Sequence, residues 1–177
     1  MRLTTERLSL RELSPDDWRA VHMFESDAAA VRYQSYAPHT EAHTKSYLEK
    51  NAEATRECPR RVYDLAVVLR DTDLLIGRCG MGVHGPDCLE AALWYILRAD
   101  YRGQGLMHEA ASRLVSFAFD CTTVRRIWAD TDPRNERSVR FLERLGFRKE
   151  AHFRRNVFIK GEWCDSLIYA VLKEEWA

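Results

Sequence analysis

The residues with the clearest chemical potential lie in the run Tyr95-Ile96-Leu97-Arg98-Ala99-Asp100-Tyr101-Arg102-Gly103-Gln104-Gly105-Leu106-Met107. It begins as a strand end, turns at two glycines and continues as a helix. The first N–H groups of a helix have no intrahelical partner, and the helix dipole places partial positive charge beside them. Glycine lets a ligand approach the main chain closely. Such a passage can cradle a phosphate on backbone amides; its plain reading is a turn and nothing more. Two nucleotide motifs do not match. A P-loop requires Lys and then Ser or Thr after the last glycine, where this chain has Leu106-Met107. A dinucleotide fingerprint requires a third glycine, where His108 stands.

Other residue types invite chemistry more weakly. Asp132-Pro133 reads as a helix start with Asp132 at the cap. Asn135 is an alternative cap, and Ser138, three residues on, shares its side of the helix. A serine inside a helix often does no more than bond the preceding turn. Glu90 leads into the strand before the glycines and is either a solvated edge carboxylate or a base, with His84 as a second candidate base. Tyr33, Tyr36, Trp94 and Trp163 either pack in the core or line a pocket. Cys79, Cys88 and Cys121 have no base visibly paired with them, which argues against a covalent acyl carrier. The six histidines lack metal-ligand spacing, so no metal is expected.

The elements that must position these residues follow from periodicity. Leu8 and Leu10 alternate with polar neighbours over residues 6–13, a strand; Ser14-Pro15-Asp16-Asp17 then opens a helix over 15–24. A second helix is expected over 41–56. Strands are expected over 62–69, 75–83 and 89–97, with turns at Asp71-Thr72-Asp73 and Gly85-Pro86-Asp87. From Gly105 the period becomes four, with Leu106, Ala110, Leu114 and Ala118 beside Met107, Ala111 and Val115: a helix packed on a sheet. A strand over 126–130, the helix near Asp132-Pro133, and strands over 147–155 and 164–172 complete the order. The fold class is mixed α/β (α+β) with a largely antiparallel sheet.

At 177 residues, with neither repeat nor linker, the chain suits a single domain over 1–177. Lys+Arg and Asp+Glu both total 27, which leaves no basic excess for a nucleic-acid partner. None of the five cysteines forms a CxxC pair, the first residues lack the apolar core of a signal peptide, and no apolar run suits a membrane. A cytoplasmic, reduced setting is the expectation. A homodimer is left open.

Several motifs in order carry a family resemblance. Arg102-Gly103-Gln104-Gly105-Leu106 resembles the Arg/Gln-x-x-Gly-x-Gly/Ala pyrophosphate loop of the GCN5-related N-acetyltransferase (GNAT) superfamily, with Met107 in place of the final Gly or Ala. Thr5-Glu6-Arg7-Leu8-Ser9-Leu10-Arg11, the Asn135…Ser138 pair with Leu145-Gly146-Phe147, and the ending from Trp163-Cys164-Asp165 to Glu175-Trp176 are similar to its RimJ/RimL branch. The resemblance implies the GNAT fold, a mixed sheet flanked by helices whose splayed central strands bind acetyl-CoA.

It further implies that the main chain of residues 102–107 (Arg102, Gly103, Gln104, Gly105, Leu106 and Met107) grips the pyrophosphate. Ile96, Leu97 and Arg98 would pair with the pantetheine arm, Asn135 would hydrogen-bond it, and Ser138 would protonate the leaving thiolate. A tyrosine acid used elsewhere in the superfamily is replaced by Leu142, and the usual base glutamate by Ala92. Glu90, two residues earlier, lies about 6–7 Å away on the same strand face at ~3.3 Å per residue. The implied activity is acetyl transfer to a primary amine by direct attack. An α-amine (pKa ~7.7–8.0) needs less help from a base than lysine (~10.4), which favours a protein N-terminus as acceptor. A small amine such as an antibiotic or polyamine, or an inactive acetyl-CoA-binding module, are the alternatives.

Overall fold

A computed structural model describes residues 1–176. The strands are β1 (Arg2–Thr4), β2 (Leu8–Glu12), β3 (Val62–Leu69), β4 (Leu75–His84), β5 (Glu90–Leu97), β6 (Arg126–Thr131), β7 (Arg148–Ile159) and β8 (Glu162–Leu172). The helices are α1 (Trp18–Glu25), α2 (Glu41–Ala54), α3 (Leu106–Cys121) and α4 (Glu136–Arg144). The strands form one sheet in the order β1-β2-β3-β4-β5-β6-β8-β7. Among the described residues β5 and β6 are its one parallel pair. A parallel pair needs a crossover connection, and α3 supplies it.

Two apolar layers sandwich the sheet. Leu65, Val67, Cys79, Met81, Ala91, Leu93 and Leu97 face α3 and α4, which bury Leu106, Met107, Ala110, Leu114, Phe141 and Leu142 against them. The opposite face carries Ala66, Val68, Leu75 and Ile96 under Val21, Phe24 and Leu48 of α1 and α2. Each large side chain buried this way contributes ~1.5–3 kcal/mol.

Three local expectations need correction. The segment over 15–24 is a 3-10 turn at Pro15–Asp17 and then α1, because Ser14 and Asp17 form a capping box around that turn. The short strand β1 carries too little periodicity to read from sequence. The helix expected at Asp132-Pro133 starts at Glu136 with Asn135 as its cap, since Asp132 Oδ1 instead accepts from the Arg134 amide at 2.8 Å in its own turn.

Candidate functional site

The sheet opens at its centre. β5 and β6 pair at only three positions, Glu90↔Arg126, Ala91↔Ile127 and Ala92↔Trp128. Beyond them β5 stays with β4 up to Gly77↔Leu97, while β6 stays with β8 up to Thr131↔Leu167. The unpaired edges leave a cleft. In an antiparallel ladder the main-chain groups of alternate residues face the same neighbour. Arg98 donates its N–H to the Ile76 carbonyl at 2.9 Å, so Ile96 and Arg98 address β4, and Tyr95 and Leu97 address the cleft. The Leu97 carbonyl also accepts from Arg102 Nε at 3.0 Å. Of the three residues expected to meet the pantetheine arm through their backbone, Leu97 alone turns its amide that way.

The glycine turn lies at the end of this edge. Gly103 and Gly105 have φ of 80° and 76°, a region costly for most side chains, and Gly105 is the cap of α3 without a side-chain acceptor. The first intrahelical bond runs from the Glu109 amide to the Gly105 carbonyl at 3.0 Å. The preceding amides, Leu106 and Met107 among them, therefore point out of the helix end. Met107, the departure from the glycine or alanine of the resembled motif, buries its side chain in the core and leaves its N–H available. Arg7, just ahead of β2, braces the turn: its guanidinium donates to the Gln104 carbonyl at 3.0 Å and pairs with Glu109 at 2.7 Å. Sequence reasoning placed Arg7 in a strand and missed this brace.

Asn135 and Ser138 stand across the cleft at the start of α4. Asn135 Oδ1 caps the helix by accepting from the Ser138 amide at 3.3 Å, so its side-chain nitrogen is the group left to meet a ligand. Ser138 Oγ lies 2.7 Å from the hydroxyl of Tyr95 on β5, a contact that bridges the two walls. Burial pushes the Tyr95 phenol well up, so it stays protonated and able to donate. Leu142, one turn on, is core.

On the α1/α2 side the cleft widens into a cavity of about 580 Å³, lined by Tyr36, Tyr47, Asn51, Arg78, Trp94 and Asp130 among others. Behind its wall is a buried charge cluster. Arg78 pairs with Glu25 at 2.6 Å and with Asp64 at 3.1 Å. Asp64 also accepts from Trp94 Nε1 at 3.1 Å and from the Tyr47 hydroxyl. Gly80 makes room for this: a Cβ there would lie 2.5 Å from Trp94 Nε1. Burial raises the Asp64 pKa, against the pull of Arg78. The signal for the cluster was visible, as Asp64 and Arg78 each interrupt an apolar strand, and a buried charge without a partner is costly.

Other expected site residues lie elsewhere. Glu90 opens β5 at its exposed end, 3.5 Å from Arg126, and is not among the residues lining the cavity. His84 is its exposed cross-strand neighbour. Tyr36 and Trp94 do line the cavity, while Trp163 is 61% exposed on the β7–β8 hairpin and Tyr33 is outside the lining. The Cys79 thiol is buried and pushed up, the opposite of activation. Cys88 and Cys121 also lie outside the cavity lining. Among the described residues no group of three or more His, Cys, Asp or Glu is placed to hold a metal, and no helix is long and apolar enough to cross a membrane.

A cleft between splayed parallel strands, with amides at the head of the crossover helix, has the layout that the resemblance implies for acetyl-CoA binding. A family model described as "Acetyltransferase (GNAT) domain" matches residues 7–148, and the chain belongs to that family. It is therefore an N-acetyltransferase, with acetyl-CoA as its cosubstrate. The chain is 31% identical over 176 residues to the "Uncharacterized N-acetyltransferase YnaD" of Bacillus subtilis (strain 168), covering 99% of both. It is 33% identical over 84 residues to the "[Ribosomal protein uS5]-alanine N-acetyltransferase" of Escherichia coli (strain K12), 48% of this chain and 43% of that one. Its fold is similar to a GNAT-family acetyltransferase of Bacillus anthracis, with a TM-score of 0.88 and 26% identity over 98% of this chain and 99% of the other.

Proposed function

We propose that the chain transfers the acetyl group of acetyl-CoA to an α-amine at a protein or peptide N-terminus held in the cavity beside β5. The backbone of residues 102–107 takes the pyrophosphate, the Leu97 amide and the Asn135 side chain orient the pantetheine arm, and Ser138 supplies a proton to the departing sulfur. Holding both reactants in one cleft gives much of the acceleration through proximity and orientation.

The charge of the cavity lining carries the choice of acceptor. Asp130 is its lone carboxylate, set against Lys50 and Arg78. With Arg78 already paired to the buried Glu25 and Asp64, the lining offers one carboxylate to a ligand, which suits a single amine followed by the carbonyls and side chains of a peptide better than a polyamine with several charges. The partial likeness to the uS5-alanine enzyme points the same way. Ala92 leaves no carboxylate at the position of the usual base, and an α-amine, partly neutral at pH 7, tolerates that better than lysine.

An acceptor panel assayed by thiol release tests this reading. Lysine-free peptides with open N-termini should be acetylated, while N-blocked peptides containing lysine, and spermidine, should not. Turnover confined to lysine side chains or polyamines would contradict it.

A further inference from the structure

Tyr47 and Asp64 are unused by the reading above, yet Tyr47 lines the same cavity and Asp64 stands directly behind it. Tyr47 projects from α2 and lines it, and its hydroxyl donates to Asp64 Oδ2, which lies behind the wall and 1% exposed. Asp64 accepts two further hydrogen bonds, from Arg78 of β4 and Trp94 of β5, and lies in the negative field of Glu25 from α1. Glu25 in turn holds Arg78, and its Oε2 has no hydrogen-bond partner. Tyr36 meets Arg78 at 3.3 Å, Cys79 is the next residue on β4, and His39 lies near Glu25 with His22 and His43 around it.

Two carboxyl groups thus face one guanidinium, and the cluster has room for one more proton. Asp64 is the carboxyl group that a cavity-lining hydroxyl donates to, through Tyr47, and burial raises its affinity for a proton. Tyr36 also lines the cavity and lies near Glu25, but its hydroxyl accepts from Arg78 at 3.3 Å, whereas Tyr47 donates directly to Asp64.

We propose that Tyr47 accepts the proton of the attacking amine while passing its own phenolic proton to Asp64. The inference rests on the cavity being the amine site. As the amine nitrogen bonds the acetyl carbonyl carbon, the C–S bond breaks and the sulfur takes the Ser138 hydroxyl proton. The N–H proton moves to Tyr47 Oη, and the Tyr47 proton moves to Asp64 Oδ2. After the product leaves, the proton returns from Asp64 to solvent by way of Tyr47, and one is restored to Ser138 by way of Tyr95. Tyr47 touches the amine; Asp64 acts through it. The relay stands where Ala92 leaves a gap, and it reaches the amine from α2 and β3 instead of from β5.

The test compares wild type, Tyr47→Phe, Asp64→Asn and Asp130→Asn on the best acceptor from the panel, and on its aminooxy analogue. An aminooxy nitrogen is far less basic and gives up its proton without a strong base. Positioned proton transfer is worth about 10²–10⁴-fold. Tyr47→Phe should lower kcat about a hundredfold with the natural amine, leave KM and acetyl-CoA affinity nearly unchanged, and recover most of the rate with the aminooxy acceptor. Asp64→Asn should repeat the pattern if it folds; Tyr47→Phe, which leaves Asp64 with Arg78 and Trp94, decides the matter if it does not. An undiminished kcat, an equal loss with both acceptors, or the pattern appearing in Asp130→Asn instead would overturn the relay. If wild type acetylates no α-amine but another acceptor, the functional reading falls, and the relay is judged on that acceptor.

Discussion

Ser138 and Tyr95 show what a single contact can decide. An isolated serine hydroxyl is a poor acid, but one held 2.7 Å from a buried phenol has a fixed direction and a route for its proton. Ser138→Ala is expected to lower kcat by about a hundredfold, the scale of one positioned acid, with acetyl-CoA affinity within about twofold of wild type. Tyr95→Phe keeps the ring against Phe141, 4.3 Å between centroids, and removes only the hydroxyl, so its loss should be smaller than that of Ser138→Ala. Steady-state kinetics with a calorimetric Kd for each variant checks both. Ser138 was legible because its spacing from Asn135 matched a family pattern. Tyr95 was not, since nothing local announces that a strand tyrosine will meet a helix 43 residues away.

Among the elements, the glycine turn depends on a brace from a distant strand. Arg7 holds the Gln104 carbonyl and the Glu109 carboxylate, and its own amide donates to Glu109 at 2.9 Å. Arg7 is about half exposed, so these bonds are screened by solvent and together contribute on the order of 1 kcal/mol. With Arg7→Ala the turn loses the support of the segment just ahead of β2, and acetyl-CoA binding should weaken by roughly fivefold, ~1 kcal/mol, while kcat at saturation stays close to wild type. Equilibrium titration and saturation kinetics measure the two effects. The turn itself was readable because glycine pairs, strand ends and helix starts are local signals. Its brace was not, and neither was the true start of α4: two residues that cap well, Asp132 and Asn135, competed, and the tertiary turn around Arg134 chose Asn135.

For the whole molecule, stability and chemistry share the buried cluster. Arg78 is the cation of two carboxyl groups, and removing one member of a buried pair costs about 3–5 kcal/mol. Arg78→Met should lower the urea unfolding free energy by that amount. Acid stability is set by different groups. Burial disfavours the Asp17 charge, but the Arg11 fork and the Ser14 amide outweigh it and hold the carboxyl below its usual range. A lowered carboxyl pKa contributes stability above its unfolded value of ~3.9 that is lost as pH falls through the lower folded value. Asp17→Asn should therefore flatten the pH dependence of the melting temperature below about pH 4, and melting curves across that range read it directly.

The strands and the helix between β5 and β6 were legible as patterns of period two and four, but the parallel pairing of those two strands was not. The cavity was not, because it is assembled from α2, β3, β4, β5 and β6, whose convergence is a property of the complete fold. Its advance signals were Tyr36 and Trp94, aromatic residues suited to a pocket, and the pair of charges set within apolar strands.

The account turns on main-chain amides at the head of α3 receiving a diphosphate. Calorimetric titration of coenzyme A into wild type and Gly105→Asp tests this most directly. Aspartate tolerates a positive φ better than most residues, and a Cβ at position 105 would lie 3.5 Å from Arg7, an ordinary contact, so the variant should fold. Its carboxylate would add negative charge and bulk beside Arg7 at the turn that receives the diphosphate. Saturable binding to wild type with no measurable heat for a folded Gly105→Asp is the predicted result; equal affinities for the two proteins would contradict it.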